Sequence, residues 1–415
     1  MYFRSLQIFR GFAALAVVLF HINHYATEGF FKDPNTIFRW CGPVFSHGCW
    51  FFFVVSGFLM GYLVDSGYRH FLSRRMIRIY STFWAVVALV FVGKWILLGV
   101  KPFGLKTGVP MTLLPFGRYV IKGLNTDYPL TVEWTLVYEI VFYLVCAVFA
   151  NRWMRRYFLP FLVAWLAVLM VMPFLYAYVG LRAVQNDHWA LTAEPYFHAI
   201  KDYQLPLWNE MFLSPFNAMF VVGGIGFYIF KRLPALSWHW PVASLVPAAF
   251  LYYFSEMLFT YGWMQRFAAY TGMDWTILKL LLHSTGFLMI IFAFSAWERG
   301  KGKPVRKNAL EHFGDYSYAL YLIHVPVITT LFYIVNPEKV NHSGLCLLAL
   351  LLAVTAGSLV GAADMAMQDG LKWAQNRLWA AIARAFAKCK SQRAEEAQMG
   401  VPAVPAADGV PAAGE

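Results

Sequence analysis

Residues 5–25 read SLQIFRGFAALAVVLFHINHY. The run is apolar for about the 20 residues that a helix needs to cross a hydrocarbon core of ~30 Å. It nevertheless carries Arg10 and His21. Ionisable groups at that depth are costly, and they are retained for function or held by a partner. The two are eleven residues apart. At 100° per residue that is three turns and roughly 20°, which puts both on one helix face about 16 Å apart along the axis. Ala14 and Val17 complete the stripe, with Gly11 and Ala13 beside it, and small residues admit close neighbours. The stripe is either a polar track along the helix, or a snorkelling Arg10 with an interfacial His21. His24 reads as a second interfacial histidine.

The remainder of the 415 residues continues the pattern. Hydrophobic residues make up 60%, charged residues 13%, and mean hydropathy is +0.53. A soluble domain carries about half apolar and about a quarter charged residues. This balance excludes a soluble globular enzyme, a disordered chain and a fibrous repeat. Period-2 alternation is scarce, which argues against an outer-membrane barrel. The expected fold is therefore an all-α polytopic membrane protein. Ten segments are expected to span, near 5–26, 43–64, 79–99, 132–150, 157–179, 212–230, 242–262, 277–296, 316–335 and 343–363. With the N-terminus inside, 22 of the 34 Lys and Arg fall on the cytoplasmic side. The positive-inside rule then places both termini in the cytoplasm. The net charge of +12 is accounted for by these basic loops, so nucleic acid is not an expected partner. No small-residue cleavage site follows the first span, which reads as a retained helix.

Residues 1–365 form the expected membrane domain. Residues 370–393, within a segment 366–393, read as a basic amphipathic helix suited to the inner membrane surface, with Leu371, Leu378, Ile382 and Phe386 on one side and Lys372, Arg384 and Lys388 elsewhere. Residues 394–415 are rich in Ala, Pro and Gly and read as a disordered tail. Two long loops, 100–131 and 180–211, fall on the outer side. No repeated pair of broken helices of the transporter kind is present. Five cysteines are too few and scattered for a disulfide framework, although Cys41 and Cys49 share a loop and could pair outside the cell.

Further polar groups lie inside the spans. Ser56-Gly57 reads as a packing notch, and no nucleophile elbow surrounds the serine. Arg74, Arg75 and Arg78 fall within about one turn at the cytoplasmic start of the third span. They could clamp phosphate oxygens, or serve as a topology signal and contact anionic lipid. Glu139 lies about a third of the way in from the outer side and calls for a His or Arg partner on another helix. Glu133 sits at the boundary. Ser317, Tyr321 and His324 fall at i, i+4 and i+7, on one face. Glu256 is expected near the outer interface. There is no Gly-rich phosphate loop, HExxH or zinc-spaced Cys/His cluster, and no nucleic-acid signature.

Five motifs occur in order: Arg10…His21 as R-x10-H, FFFVVSGFLM at 51–60, RRMIRIY at 74–80, EWTLVYEIVFY at 133–143 and YSYALYLIH at 316–324. Together they resemble the membrane acyltransferase-3 family of surface-sugar O-acetylases, in a stand-alone form without a fused esterase-like domain. Thr135 and Ser81 depart from the family's commoner Ser and Pro, and neither change removes a titratable group. The resemblance implies a multi-pass protein of the bacterial inner membrane. It would move an acyl group, expected to be acetyl, from cytoplasmic acetyl-CoA or another acyl-CoA to a hydroxyl of a surface or exported polysaccharide or glycolipid. Membrane lipids, acyl-CoA and the glycan would be its partners, and no metal is expected. His21 would be the general base, Glu139 its orienting carboxylate, and Arg10 would sit along the pantetheine path or stabilise charge near the thioester. Arg74, Arg75 and Arg78 would bind acyl-CoA. His324, Tyr321, Ser317, Trp134 and His24 would contact the acceptor or the intermediate. An acyl-histidine route stays open. So do acylation of a macrolide-like small molecule, a lipid-linked sugar transporter or flippase, and a membrane glycosyl polymerase.

Overall fold

The computed structural model describes residues 3–68, 70–99, 113, 130–178, 212–260, 276–299, 301, 307–335 and 340–398. Eleven α-helices are found among these residues: α1 (Arg4–His24), α2 (Cys41–Phe45), α3 (Gly48–Ser66), α4 (Phe71–Leu98), α5 (Trp134–Phe149), α6 (Phe158–Tyr178), α7 (Asn217–Phe230), α8 (His239–Thr260), α9 (Thr276–Glu298), α10 (Ala309–Ile334) and α11 (His342–Gln398). No strand occurs among the described residues. Each of the ten expected segments meets a helix. Eight of these helices are long and apolar enough to cross a membrane, while α5 and α7 are apolar but shorter. Apart from Leu113, Leu130 and Thr131, the loops 100–131 and 180–211 lie outside the described residues.

The chain divides into two units, Met1–Met365 and Ala366–Glu415. In the first unit, helix ends alternate between two sides. One side gathers the basic loops. There Lys231 pairs with Asp65 at 2.8 Å, Arg155 donates to the Asp65 carbonyl at 3.3 Å, and Arg4 pairs with the buried Glu311 at 3.0 Å. Glu311 also closes a capping box with Asn308 at the start of α10, which satisfies two backbone N–H groups that would otherwise lack partners. The charge count expects this end to be the inner one. The opposite end joins Asp33 to His342 at 2.8 Å. In the second unit, residues 370–393 are helical, Leu371 and Leu378 are exposed and Arg377 lies over Trp373. Residues 394–398 are helical rather than irregular. The Ile382, Phe386 and Lys388 side chains and residues 399–415 lie outside the description.

Two close crossings hold the bundle. A Cβ on Gly57 would run into the Phe220 carbonyl, and one on Gly223 into the Val54 carbonyl. Only hydrogen lets α3 and α7 meet at this distance, so the expected notch at Ser56-Gly57 is a real packing surface. At the second crossing, Gly314 of α10 sits under the Gln7 carbonyl of α1. Above it Ala14, Val18 and Ile22 pack with Leu320, Ile328 and Phe332. The α1–α10 pair thereby aligns the two sequence motifs that carry histidine.

Candidate active site

A cavity of about 60 Å³ lies among α1, α3, α4, α5 and α10. Its lining follows α3 from Cys49 to Met60, about 16 Å of helix. Arg10, Arg75 and Arg78 face it, and Glu139 is the one carboxylate among the lining residues. Arg75 and Arg78 reach it together because i and i+3 share a helix face. Arg10 is buried, with 8% of its surface exposed, and its electrostatic neighbours are Arg78, Glu139, Tyr143 and Asp315. Three guanidiniums against one carboxylate leave an excess of positive charge around the cavity, and buried charge without a counter-ion is expensive. The arrangement suits an anion.

Glu139 is fixed by its own neighbourhood. Ser56 Oγ donates to Glu139 Oε1 at 3.0 Å, and the Tyr143 hydroxyl donates to the same oxygen. Arg75 in turn hydrogen-bonds Tyr143. Glu139 and Tyr143 stand at i and i+4, a spacing that puts them on one face. Arg10 Nη1 donates to Gln7 Oε1 at 3.0 Å, and Gln7 donates to Asp315. Tyr321, also in the lining, hydrogen-bonds Thr135 Oγ1 at 3.0 Å, and that hydroxyl donates to the Val132 carbonyl.

The imidazole of His21 is half-buried and lies beside the cavity lining rather than within it. Its expected partner is Glu139. Instead, His21 Nδ1 lies 2.9 Å from the Val17 carbonyl and 3.2 Å from His324 Nε2. His324 Nδ1 lies 3.2 Å from the Leu320 carbonyl. A carbonyl can only accept, so each Nδ1 carries its hydrogen. His324 Nε2 is then a lone pair facing the His21 N–H. This leaves His21 Nε2 as the basic atom, with no hydrogen-bond partner among the described residues. The pair connects to the cavity through Tyr321, whose ring centroid is 5.9 Å from that of His324.

Other expected residues are placed differently. Arg74 turns away from the cavity, with Nη1 donating to Tyr68 at 2.9 Å and the guanidinium over the Tyr68 ring. The three-arginine clamp is therefore a pair plus an outlier. Trp134 packs its ring against Phe216 and Phe53. His24 lies near Glu28 at 3.3 Å. Ser317 Oγ is buried without a partner among the described residues and does not line the cavity. Glu133 accepts from the Leu130 N–H at 2.7 Å. Cys41 and Cys49 are separate free thiols. Tyr143 and Ser56, which hold Glu139, were not among the expected site residues. The i, i+4 spacing from Glu139 was the available signal for Tyr143.

No curated protein and no solved structure matches the chain. An acyltransferase domain matches residues 3–364, the stretch that contains both the arginine-lined cavity and the histidine pair, and the chain belongs to the acyltransferase-3 family.

Proposed function

We propose that the protein transfers an acyl group, acetyl in the first instance, from cytoplasmic acyl-CoA to a hydroxyl of a surface or exported polysaccharide or glycolipid at a bacterial inner membrane. The excess of arginine around the cavity carries this reading. Arg75 and Arg78 lie near the inner start of α4, where the phosphates of acyl-CoA would arrive, and guanidinium forks suit phosphate oxygens. The cavity is too small for a nucleotide, which would stay at the inner mouth while the thioester end enters. Arg10, deeper in, would line the path of the pantetheine arm, about 16 Å along α1 from His21.

His21 Nε2 would take the proton of the acceptor hydroxyl as its oxygen attacks the thioester carbonyl. The C–O bond forms, the C–S bond breaks, and the proton passes from the imidazolium to the departing thiolate. The products are the ester and free CoA. During the step the imidazolium is stabilised by the Val17 carbonyl and by His324, and Glu139 acts at a distance by holding Arg75 through Tyr143. A lipid-linked sugar carrier would use the same cationic cavity for a pyrophosphate, and it would release no CoA.

The deciding experiment incubates purified protein in lipid nanodiscs with radiolabelled acetyl-CoA and a glycan acceptor. Thiol release and label in the glycan are the expected results. Binding of a lipid-linked sugar with no thiol release would overturn the proposal.

A further inference from the structure

A second polar cluster lies at the outer end, away from the arginine-lined cavity. Glu256 of α8 meets His47, just before α3, and Lys279 and His283 of α9. Glu256 Oε1 is 3.3 Å from His47 Nδ1, 3.2 Å from His283 Nε2 and 3.0 Å from Lys279 Nζ. The His47, Lys279 and His283 side chains are 8%, 1% and 0% exposed, and Glu256 is 17% exposed. One ligand atom from each of His47, Glu256 and His283 lies within 4.8 Å of the others. Tetrahedral zinc with bonds of about 2.0–2.2 Å sets its nitrogen and oxygen ligands roughly 3.3 Å apart, which is the spacing seen on both sides of the carboxylate.

The hydrogen bonding points the same way. His283 Nδ1 lies 2.9 Å from the Lys279 carbonyl, so Nδ1 carries a hydrogen, and in the neutral ring Nε2 presents the lone pair. A backbone carbonyl on the far nitrogen is how metal-binding histidines are usually oriented. The Nε2 lone pair then confronts a carboxylate oxygen at 3.2 Å. Two acceptors at that distance need a proton or another cation between them. Lys279 supplies one from the side, at 3.0 and 3.1 Å from the two carboxylate oxygens. Its ammonium also lies 5.9 Å from the centre of the Trp50 ring, a second resting place for a cation.

We propose that His47, Glu256 and His283 bind a divalent transition-metal ion, with zinc as the reference, in exchange for the Lys279 ammonium. Charge makes exchange necessary. A dication and a protonated Lys279 together beside one buried carboxylate would leave an excess of two positive charges. The ammonium must move off, towards Trp50, or lose its proton to the medium. Three protein ligands leave a fourth position for water or an alcohol oxygen. No metal motif announces the site, because its ligands come from three distant segments. The inference does not depend on acyl transfer.

The test uses tag-free, full-length protein in detergent, stripped with chelator and then equilibrated with Zn²⁺ alone. Bound metal is counted by mass spectrometry, and Co²⁺ replacement gives a visible ligand-field spectrum. One equivalent is expected in the unaltered protein. It should be lost in a His47→Ala/His283→Ala variant, and in His283→Gln, which keeps the side chain polar and the fold intact. Lys279→Met should bind about ten times more tightly, and its lowered melting temperature should recover on adding Zn²⁺. Absence of a stoichiometric ion from the unaltered protein would overturn the site, as would its retention in the histidine variants. Unchanged affinity in a folded Lys279→Met would overturn the exchange.

Discussion

The arginine-lined cavity and the Glu256 cluster are built from similar parts and differ in charge balance. Around the cavity, Arg10, Arg75 and Arg78 face Glu139. In the outer cluster, Lys279 and Glu256 match one for one, with two imidazoles pressed against the same carboxylate. The first set is unbalanced and encloses space. The second is balanced and closed. An unbalanced buried site is stabilised when a counter-ion arrives, whereas a balanced one must give up its own ion before admitting another. In the two proposals above, the visiting anion belongs to the first place and the bound cation to the second.

The largest test of the contrast is His21→Ala. Removing the proposed base is expected to lower acyl transfer about 10³-fold in protein that still inserts and elutes as folded material. Full activity would remove the assignment. Glu139→Gln deletes the one negative charge of the cavity lining. It should lower stability by about 3 kcal/mol in thermal unfolding and leave the pH–rate midpoint unmoved, because His324 and not Glu139 touches the imidazole. A displaced midpoint would restore Glu139 as the orienting carboxylate.

Arg75→Ala should raise the apparent KM for acetyl-CoA roughly 30-fold, as loss of a charge-assisted contact would, with a smaller change in kcat. Arg74→Ala should stay within about 3-fold, in keeping with a surface-type contact. Equal effects would mean that Arg74 also faces the donor. His324→Gln should reduce kcat about 10-fold and move the pH–rate midpoint. The smallest expected effect lies outside the spans, where the His342 hydrogen bond holds the Asp33 carboxyl below the usual carboxylate range. A lowered pKa makes the contact's contribution complete above about pH 4 and lost as pH falls through the lowered value. Thermal unfolding followed from neutral to acid pH should show the native chain slightly more stable than Asp33→Asn above about pH 4, with the difference vanishing at the acid end.

The legible parts of the molecule are those whose chemistry is confined to one helix. Arg10 and His21 share a stripe because 3.6 residues per turn is a local rule, and the apolar runs declare the helices without any tertiary knowledge. Ser56-Gly57 announced a close crossing, and the crossing is there. Partners across helices were not legible. The carboxylate expected beside His21 sits with Ser56 and Tyr143, and a second histidine takes its place. Nothing local distinguishes Arg74 from Arg75, since which of them meets the cavity depends on how α4 is rotated against its neighbours. The outer cluster was least visible. The sequence marks Glu256 only as a carboxylate near the outer interface, while His47, Lys279 and His283 lie in ordinary-looking sequence and become a group only when α3, α8 and α9 come together.

The backbone-to-backbone seam between Gly57 and Gly223 also constrains motion. Side chains that interlock can slide by changing rotamer, but two main chains in contact have no such play. Helices α3 and α7 therefore travel as one rigid girder. If the arginine-lined cavity widens, the pair shifts as a unit against α4 and α5, which carry Arg75, Arg78 and Glu139.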